Sequence, residues 1–320
     1  MVQSLKTIKR PIEIELKSFE KRFRDDMRSN VPLLDKITYY IVQRKGKQVR
    51  PMFVFLSAQL FGKINDATHH GASLVELLHT ATLVHDDVVD DSYERRGLFS
   101  LNAIWKNKIA VIVGDYLLQK GFLIALQNKR FQLLEIVAEA VKQMSEGELL
   151  KIERSRQYDI DEKKYFEIIR KKTASLIAAA CAVGTASTSE DEKDIEKMNA
   201  FGEKIGIAFQ LRDELFDFGI NSPRNPLGID LKEKAMSLPF IYTLNRVSLA
   251  EKRKMINHVR QGKKANEVIA LVQANGALEY AQKIMIQYQK EALAILKTIP
   301  DSKAKESLED LVNFVIQRKK

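Results

Sequence analysis

Ala72–Asp91 reads ASLVELLHTATLVHDDVVDD, and its spacing decides the fold. Leu74, Val75, Leu77, Leu78, Ala81 and Val84 recur at three- and four-residue steps, which predicts a buried helix running into a cluster of acids. Asp86 and Asp90 stand one turn apart and share a face of that helix. Two unit charges about 4 Å apart at an effective dielectric of 20 repel by about 4 kcal/mol, so the pair asks for a cation. All-oxygen sites suit hard ions, and Mg2+ takes one or two carboxylates and completes its shell with water and substrate phosphate.

The rest of the chain is built to the same period. Its 320 residues are 45% hydrophobic with only 14 Gly and 7 Pro, enough for a large core and too few turn residues for many strands. We read an all-α, single-domain chain over residues 1–320, because no Pro/Gly/Ser linker or composition break divides it. Upstream, Ile12, Leu16, Phe19, Phe23 and Met27 mark one amphipathic helix after Pro11, and Leu33–Gln43 a second. A basic turn, RKGKQVRP with Lys45, Lys47 and Arg50, stops at Pro51 before the apolar MFVFLSAQLF. Taken alone, such a charge cluster reads as a solvated turn. Downstream, a polar loop through Gly97 leads to Trp105, and a helix over Phe131–Arg156 carries SEGELL with Glu146 and Glu148. One helix then carries RKKTASLIAAACAVG, whose alanines predict close helix packing.

A second acidic constellation ends the next helix, at Asp213, Glu214 and Asp217. Asp213 and Asp217 repeat the one-turn spacing of Asp86 and Asp90, and Gln210 and Gly206 lie on their stripe. Gly202 and Gly206, also one turn apart, thin a strip for another helix. One acidic pair is ordinarily a solvent face. Two, each ending an apolar helix near basic residues, predict a mouth that grips a diphosphate through bridging Mg2+.

Charge and cysteine content exclude other classes. The net charge of +10 is spread over helices among 42 acids, so no nucleic-acid interface is expected, and at most a weak attraction to an anionic membrane surface. The lone Cys181 lies in an apolar run and reads as a core residue in a reducing compartment. No unbroken apolar stretch of membrane-spanning length and no apolar signal core stand out, so the expected location is cytoplasmic. The five histidines have no zinc spacing. His79, two turns before Asp86 on its face, reads as a substrate contact against the alternative of a satisfied core residue; His85 reads as packing or as a support behind the acids.

These segments resemble a known family. HTATLVHDDVVDDSYERRG is similar to the first aspartate-rich motif of the long-chain all-trans polyprenyl diphosphate synthases, and AFQLRDELFDF to the second. GKQVRP, GDYLL, KTASLI and LGIDLKEKAMSLPFIYTL resemble further family segments, in order from Lys45 to Thr243. The resemblance implies a helical bundle of the isoprenoid synthase type with a central cavity, working as a homodimer. It implies an allylic diphosphate held through Mg2+, three ions, by Asp86, Asp90 and Asp213, with Asp87, Glu214 and Asp217 in support and Arg95 and Lys172 neutralising it. Isopentenyl diphosphate would lie beside it on Lys47, Arg50, His79 and Arg96, while Thr173 and Gln210 turn their oxygens toward the allylic cation. Val75, Leu78, Ala81 and Thr82 would line the tunnel for the growing chain, and small residues at Ala81 and Thr82 imply a product of C30 to C40. The sequence departs from the pattern at Lys45, at Glu214, and at Asn225 and Ala235, where the resemblance expects lysines; Lys232 and Lys234 stand nearby. Three readings follow: an active elongating synthase, a weakly active or non-catalytic subunit that binds prenyl diphosphates, and a terpene cyclase. The cyclase has no use for Lys47, Arg50 and Arg96.

Overall fold

Helical spacing dominates the chain from end to end. The computed structural model describes residues 3–43, 46, 48–95, 98–157, 161–218 and 237–317. Leu5–Lys9 (α1) passes through a 3-10 turn, Arg10–Ile12, into Glu13–Asp26 (α2), followed by Pro32–Gln43 (α3), Val49–Phe61 (α4) and Asp66–Val89 (α5). Two-residue strands, Glu94–Arg95 (β1) and Leu98–Phe99 (β2), pair antiparallel before Leu101–Gln127 (α6) and Phe131–Gln157 (α7). Glu162–Ile169 (α8), a π turn at Arg170–Ala174, Ser175–Ala186 (α9) and Glu192–Asp217 (α10) complete the central part. Leu238–Leu244 (α11), Leu249–Gln261 (α12), Ala265–Ala274 (α13), Ala277–Leu296 (α14) and Lys303–Gln317 (α15) follow.

Three local expectations are corrected. Pro51 does not stop the basic turn; α4 begins at Val49 and takes the proline into its first turn, where a missing N–H costs nothing. The loop toward Trp105 contains the β1–β2 hairpin, and α6 already starts at Leu101. The alanine-rich helix is split from α8 by the π turn, in which the Ser175 N–H reaches back to the Arg170 carbonyl.

α9 is the axis of the bundle, with α4, α5, α7 and α10 packed around it. Every residue from Ser175 to Thr185 is buried, as a helix apolar on all sides requires. Cys181 sits in this core as expected, and burial pushes its thiol up to about 12. The glycine strip works as its spacing predicts: a Cβ on Gly202 would lie 2.6 Å from Ala178 Cα, and one on Gly206 2.4 Å from Ala174 Cα. Only glycine permits that approach.

These contacts also fix direction. Along α10, Gly202 meets Ala178 and Gly206 meets Ala174, so α10 runs antiparallel to α9. Thr68, near the start of α5, bonds Ser187 just beyond α9 at 2.7 Å, and Gly71 meets Val183, so α5 is antiparallel as well. The last turns of α5 and α10 therefore emerge at one end of the bundle, the end where α9 begins. An Asn65–Thr68 capping box sets the start of α5, about 30 Å of helix before Asp86.

Among the described helices, α6 is long and apolar enough to cross a membrane by length and composition. It packs lengthwise on α5 and carries Asp115 and Lys120 in its middle.

Candidate active site

The common end of α5 and α10 gathers most of the residues that the sequence singles out. On α5, Asp86 is half-buried, Asp90 is exposed at the C-cap, and Asp87 is turned inward and buried. The Asp87 carbonyl accepts from the Asn102 amide (3.1 Å) and the Ser92 N–H (2.9 Å), which pins the chain as it leaves the helix. His85 also leaves the mouth: its Nε2–H donates to the Val111 carbonyl at 3.2 Å and lies 3.4 Å from Asp115 of the GDYLL segment. The same bond ties the first acidic motif to α6.

On α10 the three acids have different surroundings. Asp213 has its side chain 38% exposed and is paired with Arg212 at 2.9 Å. That arginine is buried under the Phe216 ring and donates to the Val315 carbonyl of α15 at 2.5 Å. Asp217 is half-buried and lines a cavity of about 220 Å³ with Lys151, Lys172, Thr173 and Gln210. Glu214, buried, lines it as well. The Tyr165 hydroxyl reaches both of its oxygens (2.9 and 2.8 Å), Gln210 Nε2 donates at 3.2 Å, and the Leu238 N–H donates at 2.9 Å. Burial pushes its carboxyl up to about 7 against these bonds, and pushes the Tyr165 phenol up as well. The sequence groups Glu214 with the metal acids; the structure gives its oxygens to Tyr165, Gln210 and the start of α11.

Glu214 orients its neighbour. With Gln210 Nε2 held by the carboxylate, Oε1 must point the other way, where it accepts from the Thr173 hydroxyl at 3.1 Å. Thr173 sits in the π turn, an irregularity common at functional sites. The turn is pressed against α7 at Gly147, where a Cβ would lie 2.7 Å from the Lys172 nitrogen. Glu146 and Glu148, on either side of that glycine, pair with Lys171 (2.8 Å) and Lys172 respectively. Spacing in the sequence did not assign these glutamates or Tyr165 to the site.

Arg50 is half-buried in the first turn of α4 and His79 half-buried on α5. Lys45, Lys47, Arg96, Asn225, Lys232, Lys234 and Ala235 lie outside the described residues, and of Arg95 only its place in β1 is described. Val75, Leu78 and Ala81 are fully buried, and the half-buried Thr82 bonds back to the His79 carbonyl at 2.9 Å. Val75 and Leu78 join the main core, whereas Ala81 packs with Leu77, Val84 and the α6 side chains Val113 and Leu117. Among the described residues no three acids, histidines or cysteines enclose an ion by themselves. Sites completed by water and substrate phosphate have that character.

Residues 31–275 match the family model for polyprenyl synthetase. The chain belongs to the polyprenyl synthetase family. It is 32% identical to the octaprenyl diphosphate synthase of Escherichia coli over 92% of this chain and 93% of that protein. It superimposes on the decaprenyl diphosphate synthase of Rhodobacter capsulatus with a TM-score of 0.93 at 30% identity, covering 99% of this chain and all of the other. The geranylgeranyl pyrophosphate synthase of Bacteroides thetaiotaomicron is similar too, at a TM-score of 0.82 and 35% identity over 98% of both chains. The chain is thus a prenyltransferase of the chain-elongating kind with the all-α isoprenoid synthase fold, and the cyclase reading falls away.

Proposed function

We propose that this prenyltransferase condenses isopentenyl diphosphate with an allylic diphosphate, farnesyl or geranylgeranyl, to give an all-trans polyprenyl diphosphate of C30 to C40. The observation that carries the reading is the convergence of two acidic helix ends at the start of α9, with Lys172, Thr173 and Gln210 beside them.

The donor set fits Mg2+, since Asp86, Asp90 and Asp213 offer only carboxylate oxygens at the mouth and leave positions for phosphate and water. When bound, three such ions supply Lewis-acid neutralisation of the departing diphosphate. Asp87 and Asp217 support these ligands, and Glu214 does so from behind through Gln210. Lys172 and Arg95 add charge-assisted contacts to the same diphosphate. As its carbon–oxygen bond breaks, the oxygens of Thr173 and Gln210 face the allylic cation and stabilise it. Arg50 and His79, with Lys47 and Arg96, hold isopentenyl diphosphate so that its double bond forms the new carbon–carbon bond. The proton lost from that adduct goes to the released diphosphate, and the chain is one trans unit longer.

The enzyme works in the cytoplasm as a homodimer. Along α6, Ile104, Val111, Ile112, Leu123 and Leu126 are exposed large apolar side chains, and a second copy would cover them. The test is incubation of purified protein with Mg2+, labelled isopentenyl diphosphate and farnesyl diphosphate, followed by chromatography of the products. Elongated all-trans product is expected; its absence with every allylic starter up to geranylgeranyl overturns the proposal in favour of a non-catalytic subunit.

A further inference from the structure

Lys151 lies outside every motif on which the family resemblance rests, yet it lines the same cavity as Lys172, Thr173, Gln210 and Asp217. Its position is set by α7. Gly147 brings that helix onto the backbone of the π turn, Glu148 follows, and Lys151 stands one turn further on the same face. Because Gly147 meets Lys172 while Leu133, near the start of α7, lies beside Gly71 together with Val183, α7 runs toward the mouth. Lys151 is therefore carried past the start of α9, to the level of the acids.

Two ammonium groups share one carboxylate there. Lys172 Nζ pairs with Glu148, and Lys151 Nζ approaches the same Glu148 at 3.6 Å. Their side chains are only 26% and 25% exposed, and Glu148 is 17% exposed, so water screens the pair incompletely. Both ammonium groups reach a cavity whose lining acids are Asp217, at the metal-binding end of α10, and Glu214, whose oxygens are held by Tyr165, Gln210 and Leu238. A polyanion entering that cavity takes charge-assisted hydrogen bonds from both lysines.

We propose that Lys151 is a further diphosphate-binding residue, acting with Lys172 on the allylic diphosphate and occupying the role for which this chain has no lysine at Asn225 or Ala235. Glu148 holds both ammonium groups until the diphosphate arrives. The assignment rests on the transferase reading above for the identity of the natural ligand, and on the cavity alone for diphosphate binding.

The experiment has a binding arm and a kinetic arm. Inorganic diphosphate is titrated calorimetrically into wild type, Lys151→Gln and Lys151→Arg in the presence of Mg2+, and KM is measured separately for farnesyl diphosphate and isopentenyl diphosphate. Lys151→Gln should weaken inorganic diphosphate and raise the farnesyl diphosphate KM by about five- to twentyfold, with the isopentenyl diphosphate KM within twofold of wild type. Lys151→Arg, which keeps the charge, should stay within about threefold on all three. Affinity and farnesyl KM unchanged in Lys151→Gln, or a rise confined to isopentenyl diphosphate, overturns the assignment. Thermal melting checks the fold of each variant; should Lys151→Gln melt early, Lys151→Met, which keeps the apolar stem, is read in its place. Wild type that makes no elongated product refutes the transferase reading, while the calorimetric arm still decides for or against Lys151.

Discussion

Asp86 and Asp213 look alike in sequence, and the proposed mechanism gives them one purpose from two helices. Each ends an apolar helix, and the antiparallel course of α5 and α10 against α9 brings them to one mouth. Replacing either with Ala should lower kcat by at least about a thousandfold, roughly 4 kcal/mol of transition-state stabilisation. The fold should persist, since each carboxylate is partly exposed and carries little of the core. Circular dichroism and a product assay check both halves, and activity within a few-fold of wild type for either variant would sink the metal assignment. Spacing revealed these acids because a one-turn repeat is visible in the sequence. It did not separate Glu214 from them. What turns Glu214 inward is the Tyr165 hydroxyl, contributed from α8, and the Leu238 N–H at the start of α11. The extra methylene of glutamate over aspartate is a small change in composition, and only tertiary partners give it a direction.

At the scale of elements, the sequence was readable wherever period alone sets the structure. The Gly202–Gly206 strip and the alanines of α9 predicted close approach, and the two helices meet there. The π turn was not readable, because Arg170–Ala174 has an ordinary helical composition and one extra residue in the turn leaves no mark on it. Its counterpart is Gly147 on α7. Gly147→Ala would force a Cβ to within 2.7 Å of the Lys172 nitrogen, so α7 and the turn must part. We expect a loss of about 1–3 kcal/mol in stability, and a fall in kcat as Thr173 and Lys172 shift. Denaturant melts with paired kinetics measure this, and a variant matching wild type in both would show that the contact is not tight. The hairpin after α5 escaped for a related reason: two-residue strands have no alternation to read. α5 carries a pH dependence at its other end. Burial pulls the His69 imidazole, set edge-on against Phe55, down to about 4 from 6.5. Between those values the unfolded chain binds a proton that the folded chain excludes. Stability is therefore complete above about pH 6.5 and falls as the pH drops toward 4, by at most about 3 kcal/mol. His69→Gln should melt with a shallower pH slope than wild type across that window; parallel slopes would remove His69 from the account.

At the scale of the whole molecule, the question is how long a product the bundle can house. Asp86 stands at the mouth, and Thr82, Leu78 and Val75 follow it down α5 at about one-turn steps. Val75 lies eleven residues below, about 16 Å of helix rise, roughly the depth that an extended farnesyl chain fills, so a longer product must continue beneath it. Relatives with this fold range in name from geranylgeranyl to decaprenyl diphosphate synthases, so fold alone does not set length. Side chains near the mouth must do so, and here Ala81 and Thr82 are both small. We therefore expect C30 or longer, in the hexaprenyl to octaprenyl range. The packing also refines the test. Ala81 has no exposed surface and is enclosed with Val113 and Leu117 of α6, so Ala81→Phe combines obstruction with overpacking of about 1–3 kcal/mol. Thr82 is half-buried on the face of Asp86, and among the described residues its hydroxyl bonds to its own helix, so Thr82→Phe obstructs the path with less strain. Both variants should shorten the product to about C15 or C20, and Thr82→Phe should keep a melting temperature near that of wild type. Reversed-phase chromatography of the dephosphorylated products reads the length directly. Wild type that stops at C15 or C20, or unchanged product length in both variants, would mean that the growing chain leaves the mouth along another face of the bundle.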